Sequence, residues 1–485
     1  MARIDDLAEQ RRHKLQRIRE QGIDPFPHRY NRTHTARAAA DSLSRGLDET
    51  VSLAGRIVAR RDMGKVNFVD LRDASGKIQI YFSGKKLGDK YKLLADFDVG
   101  DIIGVSGRVF KTHSGEITVE VAEFALLAKS LMPLPEKWHG LTDVEKRYRQ
   151  RYLDLIAGDV VRDVFLMRSR IISAVRRFIE GRGFVEVETP MLHPVAGGAL
   201  ALPFVTHHHA LDQDLYLRIA MELYLKRLVV GGFEKVYEIG RIFRNEGIST
   251  RHNPEFTMME SYEAYADYTD VMSMLEQMVA FVAKRVMRKT KVKYGEHVLD
   301  FTPPWRRIAL RDAVREATGI DFLKHADEHS LRDEIRNCDL QIDAGLSWGQ
   351  LLDKLISHYV EPNLMQPTIL YDYPVAMSPL AKRKADDDRL VERFEAFAGG
   401  MEIANAFTEL NDPLEQRARF EEQERIRAQA GEAEGERVDE DFLVAIEYGM
   451  PPTGGLGLGI DRLVMLLTGQ QSIREVILFP QLRSK

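Results

Sequence analysis

The chain has 485 residues, of which 44% are apolar and 29% charged, as in ordinary globular proteins. This composition argues against a disordered, collagen-like or membrane class, and at about 150 residues per domain the length suggests roughly three domains. No run approaches the roughly 20 apolar residues of a bilayer span, because Asp461 and Arg462 interrupt the most apolar C-terminal segment. Arg3, Asp5 and Asp6 leave no apolar signal-peptide core at the start. We therefore expect a cytoplasmic protein with no membrane partner.

The cysteine count and the net charge further limit the kinds of metal site and the partners that the chain can have. Cys338 is the only cysteine, so intramolecular disulfides and thiolate zinc clusters are excluded, and any metal must bind oxygen or imidazole. The net charge is 69 − 74 = −5, which disfavours non-specific binding of polyanions by the whole surface. Basic residues exceed acidic ones in residues 1–32 and 51–127, whereas acidic residues predominate in 415–441. A nucleic-acid partner would therefore bind local patches.

The N-terminal third of the chain changes from a helical to a strand pattern. Apolar residues from Ile4 to Ile18 follow helical spacing until Gly22, which predicts an amphipathic helix that either docks on the next domain or contacts RNA. From Val51 to Leu127, five short alternating runs separated by turn residues fit a small barrel of the oligonucleotide-binding type. Small barrels have several uses, so this pattern alone does not fix the ligand.

The rest of the chain predicts an α+β domain. A long helical pattern covers 160–180, but strands and helices do not alternate regularly, which favours a mainly antiparallel sheet flanked by helices. Strand patterns occur at 183–188, 234–245, 255–265, 401–409 and 453–460. The predicted organisation is a helix and lead-in at 1–50, an OB-type barrel at 51–130, a linker at 131–150 and a catalytic domain at 151–485.

The glycine-rich segment GGLGLGIDR matches neither a Walker loop nor a dinucleotide-binding loop. With a strand period of two, Gly455, Gly457 and Gly459 share one face, which leaves that face without side chains. Either a flat ligand lies against the bare backbone, or the glycines only allow a neighbouring strand to pack closely. Asp461 and Arg462 then begin a helix, whose N-terminus and guanidinium both favour phosphate.

Two further segments place polar groups where a site would need them. Arginines and His252 gather around a loop between two predicted strands, beside Phe256, which suits a triphosphate and a stacked base. Glu260 and Tyr262 share a strand face and could cradle an ammonium.

Residues 395–409 place three glutamates and one asparagine among apolar residues, where acids are costly unless paired or bound to a metal such as magnesium. In a regular strand, Glu402 would point to the face opposite Asn405 and Glu409. If all three serve one site, the strand must therefore contain a bulge or a turn.

Together these segments resemble the three signature motifs of class II aminoacyl-tRNA synthetases. The motifs are GFVEVETP at 183–190, FRNEG with RHNPEF at 243–256 and GLGLGIDR at 455–462. Within that class the chain is most similar to the lysyl-tRNA synthetases of bacterial type, through four further segments: AGGALALPFVTHHHALD at 196–212, TMMESYEAYADY at 257–268, SPLAK at 378–382 and EIANAFTELND at 402–412. The resemblance covers nearly the whole chain.

The resemblance implies a lysine–tRNA ligase with ATP as co-substrate, Mg²⁺ as cofactor, tRNA(Lys) and L-lysine as partners, and a homodimer with Pro190 at its interface. It implies that ATP is bound by Arg244, Glu246, Arg251, His252, Phe256 and Arg462, with Arg244 and Arg462 catalytic. The lysine pocket would comprise Gly198, Glu222, Glu260, Tyr262, Asn405 and Glu409. Magnesium would be held by Glu395 and Glu402, and the anticodon by Arg61, Phe68, Gln79 and Glu116.

Three positions depart from the family pattern, Leu202, His209 and Ala376, and none of them removes an implied ligand. Several rival functions remain open at this point. Aspartyl or asparaginyl synthetases share the architecture, but they need a cationic pocket, whereas this one is acidic. A lysine ligase that acts on a protein, or a non-catalytic RNA-binding paralogue, would be other uses of the same fold.

Overall fold

The computed structural model divides the chain into two compact units, Met1–Thr142 and Asp143–Lys485. It describes residues 2–46, 49–135, 141, 143–199, 201–338, 340–343, 345–429 and 438–483. The second unit begins within the segment 131–150 that the sequence predicts as a linker, and Val144–Arg149 of that segment is helical. Within the described ranges, no helix combines the length and apolarity that a membrane span requires.

The N-terminal unit is built around a closed five-stranded barrel, which confirms the predicted OB-type fold. Its strands are joined in the order β1, β2, β3, β5 and β4, and only β3 and β5 run parallel. Alternate residues such as Val51, Leu53 and Ile80 fill the barrel and are fully buried. The elements in chain order are α1 (Ala2–Glu20), α2 (Ala36–Ser44), β1 (Thr50–Asp62), β2 (Val66–Asp73), β3 (Gly76–Ser83), α3 (Gly84–Leu87), β4 (Ile102–Lys111) and β5 (Ile117–Ala128).

Helix α1 docks on the barrel through part of its basic face. Arg17 pairs with Asp96 at 2.5 Å, and Lys14 pairs with Asp98 at 2.7 Å. Ile18 from the apolar face is buried in the barrel core. These contacts favour the docked interpretation of the helix over one in which its whole basic face is free to bind RNA.

An eight-stranded, mainly antiparallel sheet forms the second unit, as predicted. The order is β14, β15, β16, β17, β18, β11, β10 and β6, with parallel pairs only at the two ends. Five other strands form a three-stranded sheet, in the order β7, β9 and β8, and a two-stranded sheet of β12 and β13. The strands of the unit in chain order are β6 (Val185–Glu186), β7 (Leu192–His193), β8 (Val205–His208), β9 (Gln213–Leu217), β10 (Lys235–Phe243), β11 (Glu255–Ala264), β12 (Lys291–Tyr294), β13 (His297–Asp300), β14 (Arg306–Ala309), β15 (Thr368–Pro374), β16 (Leu390–Ala398), β17 (Met401–Thr408) and β18 (Thr453–Gly459). The strand predicted at 183–188 is only two residues long, and it lies at the sheet edge.

Helices cover the sheet and bury its apolar face. Helix α8 begins at a capping box made by Asp267 and Asp270, and its residues Val271, Leu275 and Met278 enter the core at helical spacing. The helices of this unit are α4 (Val144–Arg149), α5 (Arg151–Ala157), α6 (Asp159–Glu180), α7 (Glu222–Val230), α8 (Tyr268–Met287), α9 (Leu310–Thr318), α10 (Glu328–Ile335), α11 (Trp348–Leu355), α12 (Pro413–Gln429), α13 (Glu440–Glu447), α14 (Ile460–Thr468) and α15 (Ile473–Val476). The other sheet face carries the polar residues described next.

Candidate active site

The glycine-rich strand β18 lies at the centre of the polar face, between β11 and β17. Two rows of paired residues cross these strands: Glu260, Gly457 and Asn405 in one row, and Tyr262, Gly455 and Phe407 in the next. Leu456 and Leu458 point to the other face and are buried in the core. The alternation predicted from the sequence is therefore confirmed, and the flanking strands project polar and aromatic side chains over bare backbone.

The protein's own side chains use part of the space that the glycines leave. A Cβ atom at Gly455 would lie 1.8 Å from Oε1 of Glu409 and 2.8 Å from the Tyr262 ring. Only glycine fits there, because the carboxylate of Glu409 lies directly against the strand. The bare face thus accommodates a pocket residue at this position, rather than leaving the entire backbone open to a flat ligand.

A cavity of about 450 Å³ opens over this part of the sheet. All six residues predicted for lysine binding line it: Gly198, Glu222, Glu260, Tyr262, Asn405 and Glu409. Arg244, Glu395 and Glu402 line it too, so residues predicted to bind phosphate and magnesium adjoin the acidic part. Gly198 has φ +88°, a left-handed conformation that favours glycine.

The acidic part of the cavity holds three buried glutamates. Glu222 is the first residue of α7, Glu260 lies on β11, and Glu409 directly follows β17. Burial raises the pKa of Glu260 to about 7, against a backbone hydrogen bond from Met221 N at 3.0 Å. Burial likewise raises the pKa values of Glu222 and Glu409. Buried carboxylates with raised pKa values form a site that an added ammonium would stabilise.

Tyr262 completes the acidic wall. Its hydroxyl donates to Oε2 of Glu260 over 3.4 Å, and burial together with Glu222 raises the pKa of the phenol well above its ordinary value. Tyr262 therefore stays protonated and acts as a hydrogen-bond donor to the carboxylate. The predicted pairing of a phenol and a carboxylate on one strand face is present.

Sequence reasoning missed three residues of this region. Lys226 in α7 pairs with Glu222 and Glu409, Arg393 donates to Asn405 Oδ1 over 3.0 Å, and the Phe407 ring lines the cavity. Strand parity could have found Phe407, because it lies two residues after Asn405. Lys226 gave no such signal, since a Glu and a Lys four residues apart on a helix usually form an exposed pair.

A β-bulge brings Glu402 onto the same face as Asn405. Ala396 of β16 pairs with Ala404, whereas the next residue, Phe397, pairs with Glu402, so Ile403 is the extra residue. Ile403 turns into the core. The sequence predicts that a bulge or turn must occur here if these residues serve one site, and the bulge is where the parity argument requires it.

Glu395 and Glu402 are suited to hold a divalent cation. Burial raises the pKa of Glu395 to about 7, although Arg393 lies 2.5 Å from Oε1 and Tyr373 donates to Oε2 over 2.9 Å. Among the described residues, no three His, Cys, Asp or Glu side chains form a metal cluster. Magnesium is commonly bound by one or two carboxylates with substrate phosphates completing the shell, so two glutamates fit that ion.

The groups predicted to bind ATP lie around the loop between β10 and β11. Arg244 is half-buried beside Phe256, with its guanidinium carbon 5.3 Å from the ring centre, and it donates to Ile219 O over 3.4 Å. Burial lowers the pKa of Arg244, which still remains charged. Of the predicted ATP ligands among the described residues, Arg244 alone lines the 450 Å³ cavity. Glu246 is exposed on the loop.

The remaining residues predicted to bind phosphate are Arg251, His252 and Arg462, and Arg462 contacts both His252 and Glu402. Arg462, the third residue of α14, donates to Glu402 Oε2 over 3.0 Å and lies 3.3 Å from His252 Nε2. Burial and the neighbouring Arg462 lower the pKa of His252, so its ring is neutral at pH 7. Arg251 donates to Gly400 O over 2.8 Å. The guanidinium of Arg462 therefore adjoins a carboxylate that the sequence predicts to bind magnesium.

A second cavity, of about 1040 Å³, lies in the N-terminal barrel. All four residues predicted to read an anticodon line it: Arg61, Phe68, Gln79 and Glu116. Phe68 is 5.2 Å from Tyr81 between ring centres, and Tyr81 is 6.2 Å from Phe110. The sequence analysis missed these two rings, which extend the aromatic surface on which bases can stack.

The three departures from the family pattern lie outside the lining of the 450 Å³ cavity, as far as the described residues define it. The Leu202 side chain is exposed, and its carbonyl accepts a hydrogen bond of 2.7 Å from Asn245 N. His209 is exposed beside His207, and Ala376 lies in the short 3₁₀ helix Val375–Met377.

Comparison with known proteins agrees with this geometry. The family model for class II tRNA synthetases (D, K and N) matches residues 143–483, and that for OB-fold nucleic acid binding domains matches 51–127. The lysine–tRNA ligase of Dehalococcoides mccartyi is 57% identical over 99% of this chain and 98% of its own. Those of Carboxydothermus hydrogenoformans and Halalkalibacterium halodurans are 54% and 52% identical over 99% of this chain and 99% and 98% of theirs. This chain belongs to the lysine–tRNA ligase family of class II tRNA synthetases.

Proposed function

We propose that the chain activates L-lysine with ATP and transfers the lysyl group to the 3′ end of tRNA(Lys). In the first step a lysine carboxylate oxygen bonds to the α-phosphorus of ATP, and the bond to pyrophosphate breaks. In the second, a terminal ribose hydroxyl of the tRNA attacks the lysyl carbonyl carbon, and AMP leaves. The observation that carries this proposal is the buried acidic pocket of Glu222, Glu260 and Glu409, which adjoins Arg244 in one cavity.

Catalysis in this proposal is positioning with charge neutralisation. Arg244 would neutralise the α-phosphate and the lysine carboxylate, and Arg462 the departing pyrophosphate, because such preorganised cations act most strongly where water is excluded. Arg251 and His252 would steady the outer phosphates, while Glu246 and Phe256 would bind adenine. No side chain has to act as a nucleophile.

Magnesium would be held by Glu395 and Glu402, and when bound it would withdraw charge from the phosphates. Both carboxylates line the cavity beside Arg244 and are surrounded by other charged groups. Arg462 contacts Glu402 directly, so the metal-directed and phosphate-directed residues would serve the same polyphosphate.

Lysine-dependent ATP–pyrophosphate exchange, measured with and without tRNA, tests the proposed activity. We expect exchange with lysine and none with aspartate or asparagine, because carboxylate or amide side chains would leave the glutamates unpaired. Charging of tRNA(Lys) in the same preparation separates this function from a ligase that modifies protein. Absence of lysine-dependent exchange would contradict the proposal and favour a non-catalytic RNA-binding paralogue.

Glu260→Gln should raise the KM for lysine by about 100-fold, because a buried ammonium loses a charged partner worth about 3 kcal/mol. The wild-type KM should also rise below about pH 7, since Glu260 has a raised pKa of about 7 and protonation removes its charge. The contribution of Glu260 to this acid limb should be absent from the variant.

Glu263→Gln is the matched control, because Glu263 lies on the same strand and pairs with Lys235 away from the cavity. Its lysine KM should equal that of the wild type. Equal KM values in the wild type and Glu260→Gln would remove Glu260 from the lysine site.

The barrel would read the anticodon through Arg61, Phe68, Gln79 and Glu116. Phe68→Ala should lower kcat/KM for tRNA charging by about 10-fold or more while pyrophosphate exchange is retained, since stacking contributes about 1–3 kcal/mol per base. The exposed Phe26 of the same unit supplies the control Phe26→Ala, which should leave charging unchanged. A parallel fall of exchange and charging in Phe68→Ala would show that the barrel is not an independent reader.

The enzyme would act as a cytoplasmic homodimer. Strand β6 is a sheet edge, and Val185 and Met191, which are close in sequence to Pro190, are exposed apolar residues. Sedimentation at micromolar concentration should give a mass near twice 55.4 kDa. A fully active monomer would contradict this assignment.

A further inference from the structure

Lys226 is a buried cation that stands behind the acidic pocket. It lies one turn after Glu222 in α7, and its side chain has no exposed surface. It is not among the described residues that line the cavity, whereas its two partners, Glu222 and Glu409, both line it. The Nζ atom of Lys226 is 2.5 Å from Glu222 Oε1 and contacts Oε2 of Glu409.

The remaining surroundings of this ammonium are apolar. The rings of Phe407 and Phe442 lie 5.5 and 5.9 Å from Nζ, within the range of cation–π attraction. Among the described residues, Lys226 forms ion pairs with Glu222 and Glu409. Lys226 joins α7 to the end of β17, and it holds one carboxylate from each.

The charged and titratable groups around these pairs come from several elements. They are Glu222 on α7, Glu260 and Tyr262 on β11, Arg393 on β16 and Glu409 after β17. Burial alone would lower the pKa of Lys226, but the carboxylates of Glu222 and Glu409 raise it above its ordinary value. Lys226 therefore stays charged, and it opposes the tendency of both buried carboxylates to take up protons.

The geometry leaves part of Glu409 for the substrate. Its Oε2 atom contacts Lys226, and its Oε1 atom is buried against Gly455 without a hydrogen bond to any described residue. An unpartnered buried oxygen is costly, and an ammonium in the cavity would satisfy it. Glu409 lines the cavity and also contacts Lys226, so a cation in the cavity would lie beside a carboxylate that already has an internal counter-ion.

We propose that Lys226 is a positioning residue for substrate recognition, whose ammonium holds Glu222 and Glu409 ionised and oriented so that they can bind the substrate ammonium. The inference rests on the proposed lysine-activating function and adds to it a residue that never touches the substrate. Without Lys226 the pocket carries more uncompensated negative charge. The glutamates then take up protons at neutral pH and bind an ammonium poorly.

Lys226→Met tests this role because it keeps most of the side-chain volume and removes the charge. In lysine-dependent pyrophosphate exchange at pH 7, we expect the KM for lysine to rise at least 10-fold, with kcat within 3-fold and the KM for ATP within 2-fold of the wild type. The acid limb of the lysine KM should move up by at least one pH unit, so the difference should narrow at pH 9. Lys235→Met, which breaks the partly exposed pair with Glu263, should change none of these values.

A second pair of variants keeps the test decisive if Lys226→Met does not fold. Glu222→Gln/Lys226→Met removes both charges of one buried pair, which proteins often tolerate. In the double variant the acid limb of the lysine KM should begin at a higher pH than in Glu222→Gln alone, because Glu409 has lost its counter-ion.

An unchanged lysine KM and an unmoved acid limb in Lys226→Met would overturn the role of Lys226. In either comparison, a fall in kcat together with rises in the KM values for lysine and ATP, without a shift of the acid limb, would mark Lys226 as purely structural. That result would also overturn the proposed role. The wild type is assayed in parallel. Its failure to support lysine-dependent exchange would overturn the proposed function itself, an outcome distinct from an active wild type with an unaffected variant.

Discussion

The burial of carboxylates over a strand that lacks side chains is the constraint on which the catalytic unit depends. Glu409 can lie against β18 only because Gly455 has no Cβ atom. Lys226 contacts Oε2 of Glu409 and opposes the uptake of a proton that burial favours. Three buried glutamates thus face one buried lysine, and in the proposed function a cationic side chain of the substrate would supply the second counter-ion.

The same sheet places the acidic and cationic halves of the site within reach of one small molecule. Cross-strand register aligns Glu260, Gly457, Asn405 and Glu395 over four neighbouring strands. Arg244 then enters from the loop after β10, and Arg462 from the start of the helix after β18. In the proposed function, an amino acid with a cationic side chain would direct its ammonium to the glutamates and its carboxylate toward the arginines.

Sequence patterns were informative where a period or a parity constrains side-chain direction. The two-residue period of GGLGLG predicted a bare face, and the parity conflict at Glu402 predicted a bulge, which occurs at Ile403. The barrel followed from short alternating strands and turn residues. Lys226 could not be found in this way, because its burial arises from helix–sheet packing that no local pattern encodes. The short edge strand β6 was also overestimated, since its length depends on pairing with β10.

In the proposed site, the carboxyl group of Glu260 is partly protonated at neutral pH, and a bound ammonium would convert it to the charged form. Calorimetry of lysine binding at pH 7, in buffers of different ionisation enthalpy, tests it most directly. Because burial raises the pKa of Glu260 to about 7, binding should release roughly half a proton from this group, and the release should shrink at pH 8. A binding heat independent of the buffer, or net proton uptake, would contradict the account.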